Sequence, residues 1–356
     1  MSYAAEKQVA IAAVRRACIL TSSVFNNLVK NETLTKEDAS PVTVGDFAAQ
    51  AVVNTILGRA FPNDPIVGEE DAADLRGDAA TALRTRIVEL ANATLTAKLE
   101  AGEKEEWGLG PSGQQTTEQL LNIIDKGKHE GKAERMWTLD PIDGTKGFLR
   151  GEQYAVCLSL IVKTEGRTRV QLGVIGCPNL PSDLSNPSSP RGGIFVAVRG
   201  EGAYELPLHD PFSAPGRRLS IPKLTTDNLN LLESVEKAHS KLSFNEVVAK
   251  ELGITKPPTR MDSQAKYAAL ARGDGGVYLR MPTGTGYREK IWDHAPGSLL
   301  VEEAGGKVTD SRGEDLRFDL GRDLGENYGV IVAGEGVHSS VLDAVKRALA
   351  KEKQGQ

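Results

Sequence analysis

Residues 137–148 read WTLDPIDGTKGF, and this stretch decides how the rest of the chain is interpreted. The apolar run that ends at Leu139 predicts a short strand, which Pro141 cannot continue because it has no N–H to give to a sheet. Asp140 and Asp143 therefore lie at a strand end. Both carboxylates can point into one small volume there, as the ligands of hard cations do.

Two further features follow these aspartates at once. Gly144 lets a ligand approach the backbone closely, and Thr145 adds a hydroxyl group beside it. The segment as a whole therefore predicts a site for a divalent cation and a phosphate group.

Other acidic residues also stand where predicted elements begin or end. Glu69 and Glu70 follow a short strand, while Asp46 and Asp293 stand at predicted helix starts. Each has an ordinary alternative, because Asp46 and Asp293 suit helix N-caps and the two glutamates suit a solvated turn. Acids at such ends can also converge on one cleft at a sheet edge. Oxygen ligands without paired histidine or cysteine favour Mg²⁺ over Zn²⁺.

The composition is that of an ordinary globular protein, with 40% hydrophobic and 26% charged residues in a chain of 356. This length is enough for about two domains. The net charge of −5 disfavours a nucleic-acid or anionic-membrane surface, so bound metal must supply much of the attraction for an anionic ligand. Cys18, Cys157 and Cys177 are expected to be buried, reduced thiols.

Targeting and common catalytic motifs are absent from the sequence. No run approaches about 18 apolar residues, which predicts no membrane span. The N-terminal residues lack a cleavable signal pattern, so a reducing cytoplasm is the default expectation. The sequence contains no H-E-x-x-H zinc motif, no G-x-S-x-G elbow and no P-loop.

Helices and strands are predicted along most of the chain. A helix over 4–30 is followed by a break at Pro41 and Gly45 and by a second helix ending before Pro62. Strands are predicted at 136–139, 154–162, 169–176 and 194–198, with a surface loop at 178–193. A proline-containing stretch at 206–216 marks a boundary between domains 1–210 and 211–356. Beyond it, helices at 263–272, 295–304 and 338–351 alternate with strands at 277–281, 307–309 and 328–333, which indicates an α/β domain.

Four blocks of the sequence resemble the inositol monophosphatase superfamily, the lithium-sensitive, magnesium-dependent phosphatases. WTLDPIDGTKGF is similar to its first signature, and WDHAPGSLLVEEAGG at 292–306 is similar to its second. VGEE at 67–70 and SPVTVGDFAAQ at 40–50 match two more blocks, in the same order and spacing. Pro296 departs from the small residue usual there, but a first helical turn tolerates proline, so Asp293 is not in doubt. The resemblance implies a layered α-β-α-β-α sandwich combining α+β and α/β domains.

Within that superfamily, the chain most resembles the fungal 3′(2′),5′-bisphosphate nucleotidases. It is longer than typical inositol monophosphatases, mainly between Glu70 and Trp137, and it carries SVEKAHS at 234–240 and MDSQAKYAALARGDGGVYLR at 261–280. The resemblance implies hydrolysis of adenosine 3′,5′-bisphosphate to AMP and phosphate, with 3′-phosphoadenylyl sulfate as a second substrate. It also implies inhibition by lithium and roles in sulfate assimilation and salt tolerance.

The resemblance also assigns roles to residues. It implies that two or three Mg²⁺ ions are held by Glu69, Asp140, Asp143, Asp293 and the carbonyl of Ile142. Asp46 and Thr145 would orient and deprotonate the attacking water, with Asp46 accepting a hydrogen bond from the Thr145 hydroxyl. Backbone N–H groups near Gly144 and Thr145 would hold the phosphate.

Four more residues are implied to bind the substrate, together with Asp293. His239 would lie beside the adenine, and Ser263, Lys266 and Arg280 would hold the second phosphate. Ser263 and Lys266 are three apart, so both fit one helical face, and Arg280 ends a predicted strand. The ordinary alternatives are a surface histidine and solvent-facing cations.

Two rival functions stay open at this stage. One is an inositol (poly)phosphate 1-phosphatase of the same superfamily, and the other is a non-catalytic nucleotide or metal sensor. The expected partner is a small nucleotide bisphosphate, without nucleic acid or membrane, bound by a monomer.

Overall fold

The computed structural model describes residues 2–30, 41–209, 216–225, 228–236, 241–284 and 286–354. Its α-helices are α1 (Ala4–Lys30), α2 (Pro41–Ala60), α3 (Thr81–Leu95), α4 (Thr117–Asp125), α5 (Thr145–Leu149), α6 (Leu242–Glu251), α7 (Ala265–Arg272), α8 (Ala295–Glu303) and α9 (Glu335–Gln354). Its strands are β1 (Ile66–Gly68), β2 (Arg135–Asp143), β3 (Ala155–Thr164), β4 (Arg167–Pro181), β5 (Arg191–Val198), β6 (Gly202–Pro207), β7 (Arg217–Arg218), β8 (Leu231–Glu233), β9 (Thr259–Arg260), β10 (Val277–Arg280), β11 (Gly306–Thr309) and β12 (Val330–Gly334).

Within the described ranges these strands form two sheets. The first has seven strands in sequence order from β1 to β7, and the second has five strands in the order β11-β12-β10-β8-β9. In the first sheet β1 and β2 are parallel, whereas the pairs from β2 to β7 are antiparallel. Both sheets are mixed, since β8 pairs in parallel with β9 and β10.

Helices cover the sheets in alternating layers. Helices α1 and α2 pack on one face of the first sheet, and α7 and α8 pack between its other face and the second sheet. Helices α6 and α9 cover the far face of the second sheet. The architecture is therefore the α-β-α-β-α sandwich, so the predicted fold class is confirmed.

Helix α1 is a core element of this sandwich. Its segment Ala4–Leu28 is long and apolar enough to cross a membrane, but 72% of the most apolar window is buried inside the protein. Burial of Val14, Ala17 and Cys18 against β4 explains this apolar character.

Two glycines of β4 allow the layers to approach closely. A Cβ on Gly176 would lie 2.2 Å from the sulfur of Cys18 in α1, and one on Gly173 would lie 2.8 Å from the carbonyl oxygen of Pro296 in α8. Only glycine fits where helix and strand backbones come this near. These contacts set the distance between the first sheet and its flanking helices.

Three predicted boundaries are wrong. Strand β2 continues through Pro141 to Asp143, with an irregularity after Asp140, so Asp140 lies inside the strand rather than after it. Helix α2 starts at Pro41 rather than after Gly45, because proline suits a first helical turn. Gly45 lies inside this helix, where a Cβ would stand 2.8 Å from Cδ1 of Ile142. The predicted loop at 178–193 is shorter, since β4 continues to Pro181 through an irregularity after Cys177 and β5 begins at Arg191.

The second half of the chain contains elements that the sequence pattern did not indicate. Strands β6 to β9 and helix α6 fall between the predicted elements. Because β7 pairs with β6, the first sheet extends past residue 210, and the change to the second sheet falls between Arg218 and Leu231.

Candidate active site

A crevice between the two halves of the molecule brings the predicted acids together. Its volume is about 350 Å³. Of the residues predicted to hold metal or substrate, it is lined by Glu69, Asp140, Ile142, Asp143, Gly144, Thr145, Ser263, Lys266, Arg280 and Asp293. These positions lie up to 224 residues apart in the chain (293 − 69), so the fold brings four of the predicted acids to one crevice. Asp46 and Glu70 do not line it.

The parallel pairing of β1 with β2 places the first two acids side by side. Gly68 is opposite Leu139, and the N–H of Glu69 donates to the carbonyl of Leu139 at 3.1 Å. The turn after β1 is held by Gln50 of α2. Its side-chain amide donates to the carbonyl of Glu70 at 2.6 Å and accepts from the N–H of that residue at 3.1 Å. Glu69 is thus fixed next to Asp140.

The end of β2 is irregular where its two aspartates stand. Asp140 pairs with Cys157 and Asp143 pairs with Ala155, and the register shifts between these pairs. The skipped positions include Pro141, which cannot donate to a ladder. Gly144 then adopts φ +88°, a left-handed conformation that suits glycine, and α5 begins at Thr145.

The fourth acid comes from the second half of the chain. Asp293 ends a short 3-10 turn, Ile291–Asp293, and His294 occupies the cap position of α8. The helix α8 has His294, not Asp293, as its N-cap residue, and His294 makes no side-chain cap bond. The alternative that Asp293 serves as a helix N-cap is therefore wrong. The same holds for Asp46, which lies within α2 rather than at its start.

Burial and mutual repulsion make these acids costly to ionise. Burial, followed by the charges of Glu69, Asp143 and Asp293, raises the pKa of Asp140 well above its usual value. The pKa of Asp293 is raised by burial and then by Asp143 and Glu69. Burial also raises the pKa of Glu69, although its hydrogen bond with Asp140 opposes the shift. The acidic end of the crevice therefore favours a cation or protons.

The side chains fit a hard divalent cation. The donors are all oxygens, and the buried Oδ1 atom of Asp140 has no hydrogen-bond partner. Within the described ranges, no group of three or more acidic, histidine or cysteine side chains is already close enough together to coordinate one metal ion.

Asp46 and Thr145 do not form the predicted pair. Burial, followed by Glu69 and Glu70, raises the pKa of Asp46 well above its usual value, and its Oδ1 atom is buried without a partner. The hydroxyl of Thr145 instead donates to the carbonyl of Ile142 at 3.5 Å. In the described part of the chain, no hydrogen bond joins Thr145 to Asp46.

The opposite end of the crevice is basic. Lys266 is only 3% exposed, and its Nζ donates to the carbonyls of Met261 (3.1 Å) and Ser263 (2.9 Å). Burial, opposed by Asp143 and assisted by Arg280, lowers the pKa of Lys266 to about 8. The alternative of a solvent-facing lysine is wrong. Ser263 also differs from expectation, because it precedes α7 with φ +66° instead of sharing its face.

A buried hydrogen-bond chain supports Arg280. Its Nε donates to Oε1 of Glu289 at 3.1 Å, the other oxygen of Glu289 meets Nε2 of His294 at 3.2 Å, and Nδ1 of His294 meets the hydroxyl of Tyr267 at 2.8 Å. Burial alone would raise the pKa of Glu289, but the hydrogen bond and charge of His294, with Arg280, lower it to about 2. Arg280 is therefore fixed at the crevice wall.

Several of these supporting residues escaped the sequence analysis. Gln50 and Gln264 belong to no acidic or basic pattern and contact residues 20 and 121 positions away, whereas Glu289 contacts Arg280 nine positions away. His294 and Tyr287 had a usable signal, since His294 lies within the WDHAPG block and Tyr287 shortly precedes it. Tyr287 is 51% exposed at the crevice and is the aromatic side chain there with the greatest exposure among the described residues.

The remaining predictions have simple outcomes. His239 lies outside the described residues. The three cysteines are free and buried, as predicted, and Sγ of Cys157 lies 4.0 Å from Oδ2 of Asp143. A larger cavity of about 640 Å³ lies at the other end of β3 and β4, against residues such as Thr168 and Glu302. It contains none of the clustered acids described above.

This fold and this crevice define a family. The sequence model of the inositol monophosphatase family matches residues 4–350, and the chain belongs to that family. Among its relatives, a 3′(2′),5′-bisphosphate nucleotidase from Schizosaccharomyces pombe is 51% identical, with 99% of this chain and 98% of the relative aligned. Another 3′(2′),5′-bisphosphate nucleotidase, from Emericella nidulans, is 45% identical, with 98% and 99% aligned.

Solved structures share the fold at lower identity. CysQ from Bacteroides thetaiotaomicron, a bacterial member of the inositol monophosphatase family, superposes with a TM-score of 0.57 at 19% identity and covers 93% of this chain and 97% of its own. The extragenic suppressor protein suhB from Bartonella henselae gives a TM-score of 0.56 at 18% identity, covering 97% and 100%.

Proposed function

We propose that this protein is a metal-dependent phosphatase that hydrolyses adenosine 3′,5′-bisphosphate to AMP and phosphate. The observation that carries the proposal is the division of one crevice into an acidic end and a basic end, which suits a ligand with two phosphates. Relatives named 3′(2′),5′-bisphosphate nucleotidase at 51% and 45% identity support the same substrate. 3′-Phosphoadenylyl sulfate has a related pair of anionic groups and is a second substrate.

The acidic end is the place for Mg²⁺. Glu69, Asp140, Asp143 and Asp293, with the carbonyl of Ile142, are the residues that hold two or three ions in this proposal. Bound Mg²⁺ would neutralise phosphoryl oxygens and make a nearby water more acidic. Inhibition by Li⁺ follows from competition for one of these positions.

Asp46 and Thr145 prepare the attacking water. Burial raises the pKa of Asp46, which improves its ability to take a proton near neutral pH, and its Oδ1 atom has no competing partner. The Thr145 hydroxyl orients the same water after it leaves the carbonyl of Ile142, to which it is joined by a long bond of 3.5 Å. No side chain needs to act as a nucleophile, because phosphoryl transfer depends mainly on positioning and charge stabilisation.

The second phosphate binds at the basic end. Lys266 uses two of its three N–H groups on backbone carbonyls and keeps one for an anion. Arg280 is held by Glu289 through Nε and lines the crevice beside Tyr287, where its guanidinium can donate to a phosphate. Ser263 stands beside Gly144 and adds a hydroxyl group. His239 completes the site beside the adenine.

Phosphate release from three esters tests the proposal. With Mg²⁺, we expect adenosine 3′,5′-bisphosphate to be hydrolysed much faster than inositol 1-phosphate or AMP. Faster turnover of the inositol ester would favour an inositol phosphate 1-phosphatase. Nucleotide binding without turnover would favour a sensor.

Two arginine variants then test whether the basic end of the crevice binds the second phosphate. Arg280→Ala should raise the KM for the bisphosphate by about tenfold or more, since a charged hydrogen bond contributes about 1.5–3 kcal/mol. The same change should have little effect on inositol 1-phosphate, which has no second phosphate. Arg199→Ala is the matched control, because Arg199 pairs with Glu302 at the larger cavity. Equal effects of both variants would contradict the assignment.

The cellular setting follows the same reasoning. We propose a cytoplasmic monomer that acts on a small nucleotide and binds neither nucleic acid nor membrane. Its roles in sulfate assimilation and salt tolerance rest on removal of this bisphosphate.

A further inference from the structure

One buried glutamine joins the two halves of the acidic site. The backbone N–H of Gln264 donates to Oδ2 of Asp143 at 2.5 Å. Its side-chain Nε2 donates to the carbonyl of Trp292 at 2.7 Å, and its Oε1 accepts from the N–H of Gly297 at 3.0 Å. Trp292 immediately precedes Asp293. Gln264 thus bonds to the carboxylate of Asp143 and to backbone groups that lie before and after Asp293 in the chain.

The turn that carries Gln264 is held in an unusual conformation. Ser263 has φ +66°, which is sparsely populated for residues other than glycine and strains the backbone. Lys266 secures the turn by donating to the carbonyls of Met261 and Ser263. With Ser263 in this conformation, the next N–H meets the Asp143 carboxylate. The surrounding bonds therefore maintain a strained turn at the site.

We propose that Gln264 is a positioning residue that keeps Asp143 and Asp293 at a separation able to hold a divalent cation. The inference rests on the proposed metal site and deepens it. Asp140, Asp143 and Asp293 line one crevice and carry like charges, so they need a fixed scaffold. Both side-chain bonds of Gln264 end on backbone groups of the segment that carries Asp293. Losing them frees that segment to move away from β2.

The test measures Mn²⁺ binding by the electron paramagnetic resonance of free Mn²⁺, together with thermal unfolding. Gln264→Met keeps the length of the side chain, removes its donor and acceptor, and leaves the backbone bond to Asp143. We expect Mn²⁺ to bind at least about tenfold more weakly, as is typical when a residue that orients metal ligands is removed.

The chain offers a matched control in Asn92. This buried amide also bridges a carbonyl and an N–H, since it donates to the carbonyl of Gln115 at 2.9 Å and accepts from its N–H at 2.9 Å. Asn92 lies in α3 and does not line the crevice. Asn92→Leu should lower the unfolding temperature as Gln264→Met does, yet change Mn²⁺ affinity less than about twofold. Equal loss of Mn²⁺ affinity in both variants would overturn the inference, because stability alone would then explain it.

Two further outcomes separate this inference from the proposed function. A wild-type protein that does not bind Mn²⁺ overturns the metal site itself. A wild-type protein that binds Mn²⁺ no better than folded Gln264→Met overturns only the role of Gln264. If Gln264→Met does not fold, Gln264→Asn, which keeps the amide at shorter reach, should still weaken Mn²⁺ binding about threefold or more, and wild-type affinity there would refute the proposal.

Discussion

Replacing Asp140 by asparagine should stabilise the metal-free protein. Asp140 is 2% exposed, its Oδ1 atom has no partner, and burial and four neighbouring acids raise its pKa. Its negative charge therefore lowers the stability of the folded state when no cation is bound. Asparagine has nearly the same shape, carries no charge and can donate a hydrogen bond to Glu69.

The sign and size of the effect follow from proton linkage. An acid whose pKa is higher in the folded than in the unfolded state holds its proton more tightly when folded. Its presence therefore lowers the stability of the folded state as pH rises above the unfolded value of 3.8. Each pH unit is equivalent to about 1.4 kcal/mol, so the penalty has a ceiling of about 4 kcal/mol at neutral pH. We expect Asp140→Asn to gain about 1–4 kcal/mol near pH 7 and little near pH 4.

Urea unfolding in EDTA, at about pH 5 and about pH 8, measures this gain. Added Mg²⁺ should then narrow this difference, because saturation at about 100 times Kd stabilises the wild type by about 2.7 kcal/mol and the variant less. The control is Asp64→Asn, which weakens the bonds of a paired carboxylate with Arg135 and Trp137 and should be destabilising. If Asp140→Asn is less stable than the wild type in EDTA near pH 8, the electrostatic reasoning fails.

Three more predictions concern catalysis and binding. Asp46→Ala and Asp143→Ala should each lower kcat by at least about 100-fold in a phosphate-release assay, and wild-type rates in either would contradict the mechanism. His239→Ala should weaken nucleotide binding by about 1–3 kcal/mol in calorimetry without changing metal binding, and unchanged KM and kcat would place this histidine in solvent. Glu289→Gln should destabilise the protein by about 3 kcal/mol and raise KM, because it leaves Arg280 buried without its charged partner. The pKa of Glu289 is lowered from 4.5 to about 2. Ionised Glu289 therefore contributes its full stabilisation above pH 4.5, and this contribution is lost as pH falls through about 2. If the free energy of unfolding of wild type and variant shows the same dependence on acid pH, this reasoning is refuted.

The acids could be predicted from the sequence because their placement is local. Glu69, Asp140 and Asp143 lie near strand ends, and Pro141 disturbs the ladder where β2 presents its two carboxylates. Lys266 and Arg280 were implied by the resemblance of the 261–280 block and not by a pattern of their own. The layered sandwich was also implied by the resemblance, whereas the alternation of helices and strands indicated only an α/β second domain.

The supporting contacts had no such local signal. Gln264 and Asp143 are 121 residues apart, and their bond depends on how the two halves of the molecule meet. Glu289 looked like one more charged residue of a loop until its bonds to Arg280 and His294 placed it inside the protein. The start of α2 was misjudged for another reason. Pro41 and Gly45 usually interrupt helices, but here one begins the helix and the other makes room for Ile142.

The two ends of the crevice differ in how their charge is compensated, and this difference sets an order of binding. At the basic end, Arg280 already has Glu289 as a partner, while Lys266, with its pKa lowered to about 8, stays mostly protonated near pH 7. At the acidic end the carboxylates face one another, and the pKa values of Asp140 and Asp293 are raised by burial and by their neighbours. An anionic substrate that enters first meets repulsion at the end where its ester must react. We therefore expect the divalent cation to bind before the nucleotide, because only the cation turns the acidic end into a surface that attracts phosphate.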